Sequence, residues 1–245
     1  MHSRRILRLS GPDTRDFLQG LVTNDVEKLR DGLVYAALLT PQGKYLADFF
    51  LLADGDAVLL DVAEALGDTL VQRLAMYKLR AKVEIAQTEV HLHRGLGKVP
   101  QDGFADPRHG DLGWRAYRAA PQDDDATDWD ALRVDHLVPE TGIELTPDSF
   151  LLEVGFERLN GVDFRKGCYV GQEITARMKH KTELRKGLAQ VTVAGDAPVG
   201  TGITANGKPA GTLFTQSQGK GIAYLRFDRA TGPMQAGDAT VTRVS

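Results

Sequence analysis

The sequence predicts an α+β fold, in which a body of antiparallel sheets and helices is followed by a small C-terminal antiparallel β-barrel. Two observations support this prediction. Up to residue 86, apolar side chains alternate between strand and helix periods in the order β-α-β-β-β-α-β, which is typical of an antiparallel sheet that carries helices. Beyond residue 185, short β-favouring runs alternate with Gly, Asn and Pro turns, as in small barrels and sandwiches.

The elements of the body follow in chain order. Residues 5–9 alternate charged and apolar side chains, which predicts a half-buried strand. The Ser-Gly-Pro-Asp run at 10–13 predicts a helix start, because it combines a capping residue, an early proline and an acid near the positive end of the helix. Further strands are predicted over 33–40, 45–52, 57–62 and 82–86, and a helix over 63–79.

The remaining residues form connecting segments and the barrel. Residues 88–94 and 114–119 predict two more strands, the acidic residues 121–130 predict a solvated loop, and residues 129–137 predict a short helix. Barrel strands are predicted over 188–193, 202–205, 211–214, 221–225 and 239–244. We therefore expect a body over 1–182, which could itself divide near 87–120, and a barrel over 183–245.

Composition and charge exclude several functions. A formal net charge of -3 over 245 residues gives no general attraction to nucleic acid or to a membrane, and no apolar run is long enough to span one. The first residues lack the apolar stretch of a secretory signal, so we expect a cytoplasmic location.

A single cysteine excludes an internal disulfide. Together with scattered histidines it matches no metal-ligand spacing, so no metal site is expected.

That cysteine, Cys168, lies in the run Phe-Arg-Lys-Gly-Cys-Tyr-Val-Gly-Gln-Glu-Ile-Thr-Ala-Arg at 164–177. A lone cysteine is most often buried and structural. Such a residue does not require a glycine on each side or an Arg-Lys pair before it. A glycine-flanked turn ahead of a helix that begins near Gln172 instead favours a thiolate. We interpret the run as a functional turn.

Three other features have both a structural and a functional interpretation. The basic residues between 177 and 186 form either a solvated linker or a rim that faces carboxylates or phosphates. Trp114, beside Arg115, is either a core residue or a stacking platform for a flat ligand. Glu153, within an apolar run at 150–155, is either an edge-strand residue that faces solvent or a buried carboxylate that needs hydrogen-bond donors.

The Lys-Gly-Cys-Tyr-Val-Gly-Gln-Glu run at 166–173 resembles the signature of the folate-binding YgfZ-type proteins. These belong to the superfamily of the glycine-cleavage T-protein, a tetrahydrofolate-dependent aminomethyltransferase. The resemblance covers most of the chain, including residues 11–20, 23–26 and 77–83. Residues 106–108, 113–115 and 159–164 resemble the branch that acts in iron–sulfur cluster assembly. The resemblance implies a body built around a central folate-binding opening, followed by a small barrel.

The resemblance implies a tetrahydrofolate-binding accessory factor for making or maintaining iron–sulfur clusters, with iron–sulfur enzymes or cluster assembly proteins as partners. Cys168 would be the functional thiol, and Lys166 with the helix start would favour its thiolate. Glu153 matches the glutamate that holds the pterin in T-proteins, where a carboxylate can accept two parallel bonds. The other expected folate-binding residues are Trp114, Tyr77, Asn24 and Arg177.

Two alternatives stay open, so the sequence does not decide whether the protein is an enzyme. The first is a folate-dependent aminomethyl or one-carbon transferase with Asp48 as its catalytic carboxylate. T-proteins have two adjacent acids there, whereas this chain has Ala47 before Asp48. The second is a non-catalytic module that docks to cluster proteins through the Cys168 turn. Leu137 stands where relatives have a glycine, so the local turn is expected to differ.

Overall fold

The computed structural model describes residues 3–123, 126–180 and 183–244. Their contacts form two compact units. One holds the described residues up to Ala126 with Glu157–Ile174, and the other holds Thr127–Phe156 with the described residues from Thr175 onward. The division expected between residues 182 and 183 stays a prediction, and the contacts group Thr127–Phe156 with the C-terminal strands. The predicted acidic loop and basic stretch lie partly outside the described residues, at 124–125 and 181–182.

The first unit is built on an antiparallel sheet with two helices. The elements are β1 (Arg4–Ser10), α1 (Thr14–Gln19), β2 (Val34–Leu39), β3 (Tyr45–Asp54), β4 (Ala57–Ala63), α2 (Gly67–Lys78) and β5 (Glu84–Gln87). The five strands are ordered β2-β3-β4-β1-β5, and all neighbours are antiparallel. Alternate side chains of these strands pack against Leu18 of α1 and against Leu70 and Leu74 of α2. The predicted antiparallel sheet with helices is confirmed.

The opposite face of this sheet carries charged and aromatic side chains. A second sheet has the order β6-β8-β7, with β6 (His91–Gly95), β7 (Gly103–Ala105) and β8 (Trp114–Arg118). Arg115 of β8 donates to Asp61 Oδ2 of β4 (2.7 Å), and Arg4 of β1 donates to Oδ1 (2.6 Å). Burial alone would raise the pKa of the Asp61 carboxyl, but the two guanidinium groups outweigh burial and hold that pKa below its ordinary value.

The second unit contains a closed barrel. Its strands are β9 (Lys186–Ala194), β10 (Thr201–Ala205), β11 (Lys208–Ser217), β12 (Lys220–Arg226), β13 (Met234–Ala236) and β14 (Ala239–Arg243). They close in the order β10-β11-β12-β9-β14-β13 around an apolar interior. The predicted C-terminal barrel is confirmed, although the sequence pattern does not reveal β13.

Helix α3 (Trp129–Asp135) fastens the segment before the barrel to a barrel strand. Arg133 of α3 donates to Glu144 Oε2 (2.6 Å), and Thr215 Oγ1 of β11 donates to Glu144 Oε1 (2.6 Å). Leu137, where the sequence predicts a different local turn, has a φ of 51°. The leucine therefore still adopts the left-handed backbone that glycine favours.

A fourth helix, α4 (Gln172–Lys179), begins at the predicted residue after Gly171. Within the described part of the chain, no helix is both long enough and apolar enough to cross a membrane.

Candidate functional site around Cys168

Cys168 lies in a loop of residues 160–171, the cysteine loop, which belongs to the first unit. The first half of this loop is bonded to the segment that follows α1. Thr23 Oγ1 donates to the carbonyl of Gly161 (2.7 Å), and the Asp163 N–H donates to the carbonyl of Thr23 (3.0 Å). Lys28 Nζ lies 2.8 Å from Asp163 Oδ2. The entry to the cysteine loop is therefore fixed by contacts distant in sequence.

Lys166 anchors the middle of the cysteine loop. Its side chain is buried, and Nζ donates to the carbonyls of Gln19 (2.8 Å), Val22 (2.5 Å) and Asn24 (3.0 Å). These bonds use all three N–H donors of an ammonium. Burial lowers the pKa of Lys166 to about 8. The geometry gives Lys166 a holding role, and its predicted action on the Cys168 thiolate stays a prediction.

The exit of the cysteine loop is pressed against the turn between β2 and β3. Gly171 has a φ of 81°, and a Cβ there would lie 2.6 Å from the carbonyl oxygen of Thr40. Across the same contact, a Cβ on Gly43 would lie 2.7 Å from Cβ of Ile174. Real Cβ atoms do not approach so closely, so both positions need glycine. The sequence identified Gly171 as important but did not identify its partner turn.

Cys168 itself is exposed between these two fastened points. Arg165 and Gly167 are exposed as well, whereas Tyr169 is buried. The interpretation of Cys168 as a buried structural cysteine is therefore wrong. α4 begins four residues after Cys168. The loop presents its thiol to solvent while Lys166 and Tyr169 hold it from the inner side.

Asp48 is buried beneath two tyrosines of the first unit. The hydroxyl of Tyr35 donates to Oδ2 (2.9 Å), and the hydroxyl of Tyr45 donates to Oδ1 (2.7 Å). Burial and then the charge of Asp48 raise the pKa of Tyr35 well above its ordinary value, so its phenol stays a donor. The sequence did not reveal Tyr35 because it reaches Asp48 only through the register of β2 and β3, in which Ala37 faces Asp48.

Asn24 connects Lys166 to this tyrosine pair. Its Nδ2 donates to the carbonyls of Tyr35 (2.8 Å) and Asn160 (2.6 Å), and its Oδ1 accepts from Asp25 N (2.9 Å) and Lys28 Nζ (2.9 Å). An amide side chain has two donors and one carbonyl acceptor with two lone pairs, so these four bonds saturate it. The side-chain amide of Asn24 thus has all its hydrogen-bonding positions filled within the protein, and its predicted folate contact stays a prediction.

Trp114 and Tyr77 are half-buried residues that pack within the first unit. The Trp114 ring lies so close to Gly95 that a Cβ there would be 2.6 Å from it, and Nε1 donates to the carbonyl of Leu96 (3.3 Å). Tyr77 of α2 packs on the core of the five-stranded sheet. Among the described residues, no recorded contact joins either ring to Cys168. Their stacking on folate stays a prediction.

Glu153 lies in the second unit, in a turn rather than on an edge strand, and is 8% exposed. The Tyr224 hydroxyl of β12 donates to Oε2 (2.6 Å), and Lys186 Nζ of β9 lies 3.7 Å from the same oxygen. No described residue donates to Oε1, so this oxygen can accept a bond from a ligand. Tyr224 gave no signal in the sequence. Arg177, on α4, is exposed.

Comparisons with known proteins agree with this architecture. Residues 185–244 match the family model described as the CAF17 C-terminal beta-barrel domain. The chain is similar to the mitochondrial iron-sulfur cluster assembly factor IBA57 of Mus musculus, with 32% identity over 96% of this chain and 78% of the relative. The Homo sapiens protein of that name is 31% identical, with the same shares of 96% and 78%.

A solved structure shares the fold. The glycine cleavage system aminomethyltransferase T from Bartonella henselae superposes with a TM-score of 0.76 over 98% of this chain and 82% of that chain. The sequence identity is 13%, so this likeness concerns the fold alone.

The relatives also correct one prediction. The expected cytoplasmic location is wrong by this comparison, because the matched proteins are named as mitochondrial. The absence of a secretory signal at the N-terminus has no bearing on other compartments, so it did not support a cytoplasmic location.

At 32% identity over most of both chains, this chain belongs to the family of the iron-sulfur cluster assembly factor IBA57, built on the glycine-cleavage aminomethyltransferase fold.

Proposed function

We propose that this protein is a tetrahydrofolate-binding accessory factor of the YgfZ type that acts in iron–sulfur cluster assembly or maintenance, with Cys168 as its functional thiol. The names of its relatives support the role in cluster assembly. The observation that carries the residue assignment is the exposed Cys168 on a loop anchored by Lys166 and Gly171. Proteins of the cluster assembly system or iron–sulfur enzymes would be its partners.

The chemistry of an exposed thiol suits this role. A thiolate is a soft ligand that coordinates iron, and it is also the nucleophile that would take the outer sulfur of a donor persulfide, with the donor thiolate as the leaving group. The cluster would be cargo rather than a resident cofactor. Because Lys166 and Gly171 fix the loop on either side, Cys168 would meet a partner without first ordering its own backbone, which lowers the entropic cost of binding.

Glu153 is the residue that best fits the folate part of the proposal. Oε2 is held by Tyr224, which fixes the orientation of the carboxylate, and Oε1 is left to accept a bond. The pterin ring offers N–H donors that match a carboxylate. Such a ligand would also satisfy a carboxylate that is otherwise costly to bury. When bound, tetrahydrofolate supplies a carrier for one-carbon units.

Complementation tests the thiol. Cells that lack their own copy of the protein would receive wild type, Cys168→Ser, Cys168→Ala or Gly167→Ala. The last is a control for loop shape, because a Cβ at Gly167 meets no atom within 4 Å. We expect wild type and Gly167→Ala to restore iron–sulfur enzyme activity and both Cys168 variants to fail. Full activity with Cys168→Ser would remove the thiol from the proposal and leave docking as the function.

Thermal unfolding with tetrahydrofolate tests the ligand. At a hundredfold excess over its Kd a ligand stabilises the native state by about 2.7 kcal/mol, or about 5–10 °C in Tm for a chain of this size. We expect that shift for wild type and for a control, Glu89→Gln, at an exposed position of the first unit. Glu153→Gln should lose most of the shift, and Tyr224→Phe part of it. An unchanged wild-type Tm at saturating tetrahydrofolate would refute the folate claim.

A further inference from the structure

A surface at the C-terminal end of α2 has no part in the proposed function. α2 ends at Lys78, and Leu79 follows with φ 43° and ψ -102°. A residue with a branched side chain rarely adopts a positive φ, and such backbone strain persists where the surroundings or a function maintain it. The Leu79 side chain is 89% exposed. Burial within the chain therefore does not offset this strain.

A second large apolar side chain lies beside Leu79. Met76 is three residues earlier at the end of the same helix and is 66% exposed. Met76 lies in the last turn of α2, and Leu79 is the first residue beyond the helix. The opposite face of α2 buries Leu70 and Leu74 in the core of the unit. The exposed pair is therefore not needed to attach the helix.

Cations lie on either side of this pair in the sequence. The residues Arg73, Met76, Lys78, Leu79, Arg80 and Lys82 form what we call the Leu79 surface. Residues 69–83 contain no acid, and none of the four cations in that stretch forms an ion pair with a described residue. The nearby Asp13 carboxylate accepts a bond from the backbone N–H of Lys82 (2.7 Å) rather than from a cationic side chain. The four cations of the Leu79 surface are thus not ion-paired within the described chain.

We propose that the Leu79 surface binds an acidic segment of a partner protein. Apolar side chains of that segment would pack against Met76 and Leu79. An apolar centre within a charged rim is the usual anatomy of a protein interface. Complementary charge would steer the acidic partner and fix its register. A two-fold dimer of this chain through the same surface would instead bring the cations of both copies together. A membrane-binding surface would need a larger apolar face than two side chains.

The strained backbone provides a test that separates docking from stability. Glycine adopts a positive φ without steric cost, and Leu79 has almost no buried contact to lose. Leu79→Gly should therefore unfold at no lower a temperature than wild type while it loses the apolar anchor. Leu79→Asn, which keeps a Cβ on the same backbone but removes the apolar side chain, checks that the loss is not a backbone effect.

The probe is a fluorescein-labelled amphipathic peptide of Glu and Leu, followed by fluorescence anisotropy at low salt. We expect Leu79→Gly and Leu79→Asn each to weaken binding about tenfold or more, since one buried Leu contributes that much. Arg80→Glu should weaken binding about as much, because it places a negative charge against the acidic peptide. High salt should weaken wild-type binding, and a peptide with Gln in place of Glu should bind poorly. Two exposed positions of the barrel unit are controls, and Val199→Ala and Lys208→Glu should bind like wild type.

Several results would overturn the proposal. One is equal binding by wild type and Leu79→Gly, and another is no binding by wild type. Binding that depends on Leu79 but occurs only on phosphatidylserine vesicles would assign the surface to a membrane. Wild-type dimerisation in sedimentation that Leu79→Gly abolishes would assign it to a second copy. A tetrahydrofolate Tm shift that Leu79→Gly abolishes would assign it to the folate site, whereas failure of the folate claim itself leaves this proposal intact.

Discussion

Gly171→Ala tests whether the exit of the cysteine loop has to lie against the turn between β2 and β3. Gly171 has a φ of 81°, and the left-handed region costs a residue with Cβ about 1–2 kcal/mol. The added Cβ would lie 2.6 Å from the Thr40 oxygen and 2.9 Å from Cβ of Leu39. Relieving such a contact in a packed site costs about 1–3 kcal/mol. We expect Gly171→Ala to lower the free energy of unfolding by about 2–5 kcal/mol.

Gly167→Ala is the matched control, because it adds the same methyl group four residues earlier in the same loop. A Cβ at Gly167 meets nothing within 4 Å, and its φ is not positive. Alanine there restricts the unfolded chain, so stability should stay level or rise by about 0.4–1 kcal/mol. Both substitutions therefore add the same methyl group, and the two sites differ only in their φ and in the atoms that the methyl group would contact.

Urea unfolding of both variants and wild type gives the comparison, with the slope m checked for constancy so that midpoints report stability. The alkylation rate of Cys168 by iodoacetamide, measured under native conditions, reports the loop directly. We expect Gly167→Ala to keep the wild-type rate and Gly171→Ala to change it, because the loop exit has to move. Equal stability losses in the two variants, or no loss in Gly171→Ala, would refute the contact as the fastening of the loop.

Three further substitutions test buried polar groups. Lys166→Met leaves three carbonyls without their donor and should cost about 2–4 kcal/mol in urea unfolding. Because burial lowers the native pKa of Lys166 from 10.5 to about 8, the native state binds fewer protons than the unfolded state between these values. The Tm of wild type relative to Lys166→Met should therefore rise as pH increases through that window. Arg133→Met leaves the buried Glu144 carboxylate without its cationic partner. It should lower the free energy of unfolding, measured by chemical denaturation, by about 3–5 kcal/mol. Asp48→Asn places an amide N–H against a phenol donor and should cost about 1–3 kcal/mol. If the folded Asp48→Asn protein fails in complementation, the transferase alternative regains support.

Long periodic elements of the fold follow from the sequence, and very short ones do not. β1, β3 and β4 each extend over seven or more residues, so their alternation of side chains is visible. β7 and β13 have three residues each, which is too short for any period. They exist because a neighbouring strand, β8 or β14, offers them a hydrogen-bonding edge. Tertiary pairing of that kind leaves no local pattern.

The site was predictable in chemistry but not in connectivity. Flanking glycines and polar neighbours predicted a functional turn at Cys168, and the exposure of the thiol agrees with that interpretation. Lys166 was assigned to the thiol because the two residues are neighbours in sequence. Its three acceptors lie more than a hundred residues away, around the end of α1, and backbone carbonyls carry no residue-type signal. The partners of Asp48 and Glu153 were missed for a similar reason, since strand register brings in Tyr35 and Tyr224.

The contacts of Lys166 join the end of α1 to the cysteine loop. Gln19 is the last residue of α1, and the carbonyls at a helix C-terminus lack donors within the helix. Lys166 supplies donors to the carbonyl of Gln19 and to those of Val22 and Asn24 just beyond it. A cation at this end is also favoured by the helix dipole. One buried ammonium thus both caps α1 and anchors the loop two residues before Cys168. Loosening of α1 should therefore be transmitted to the thiol, even though no residue of α1 belongs to the cysteine loop.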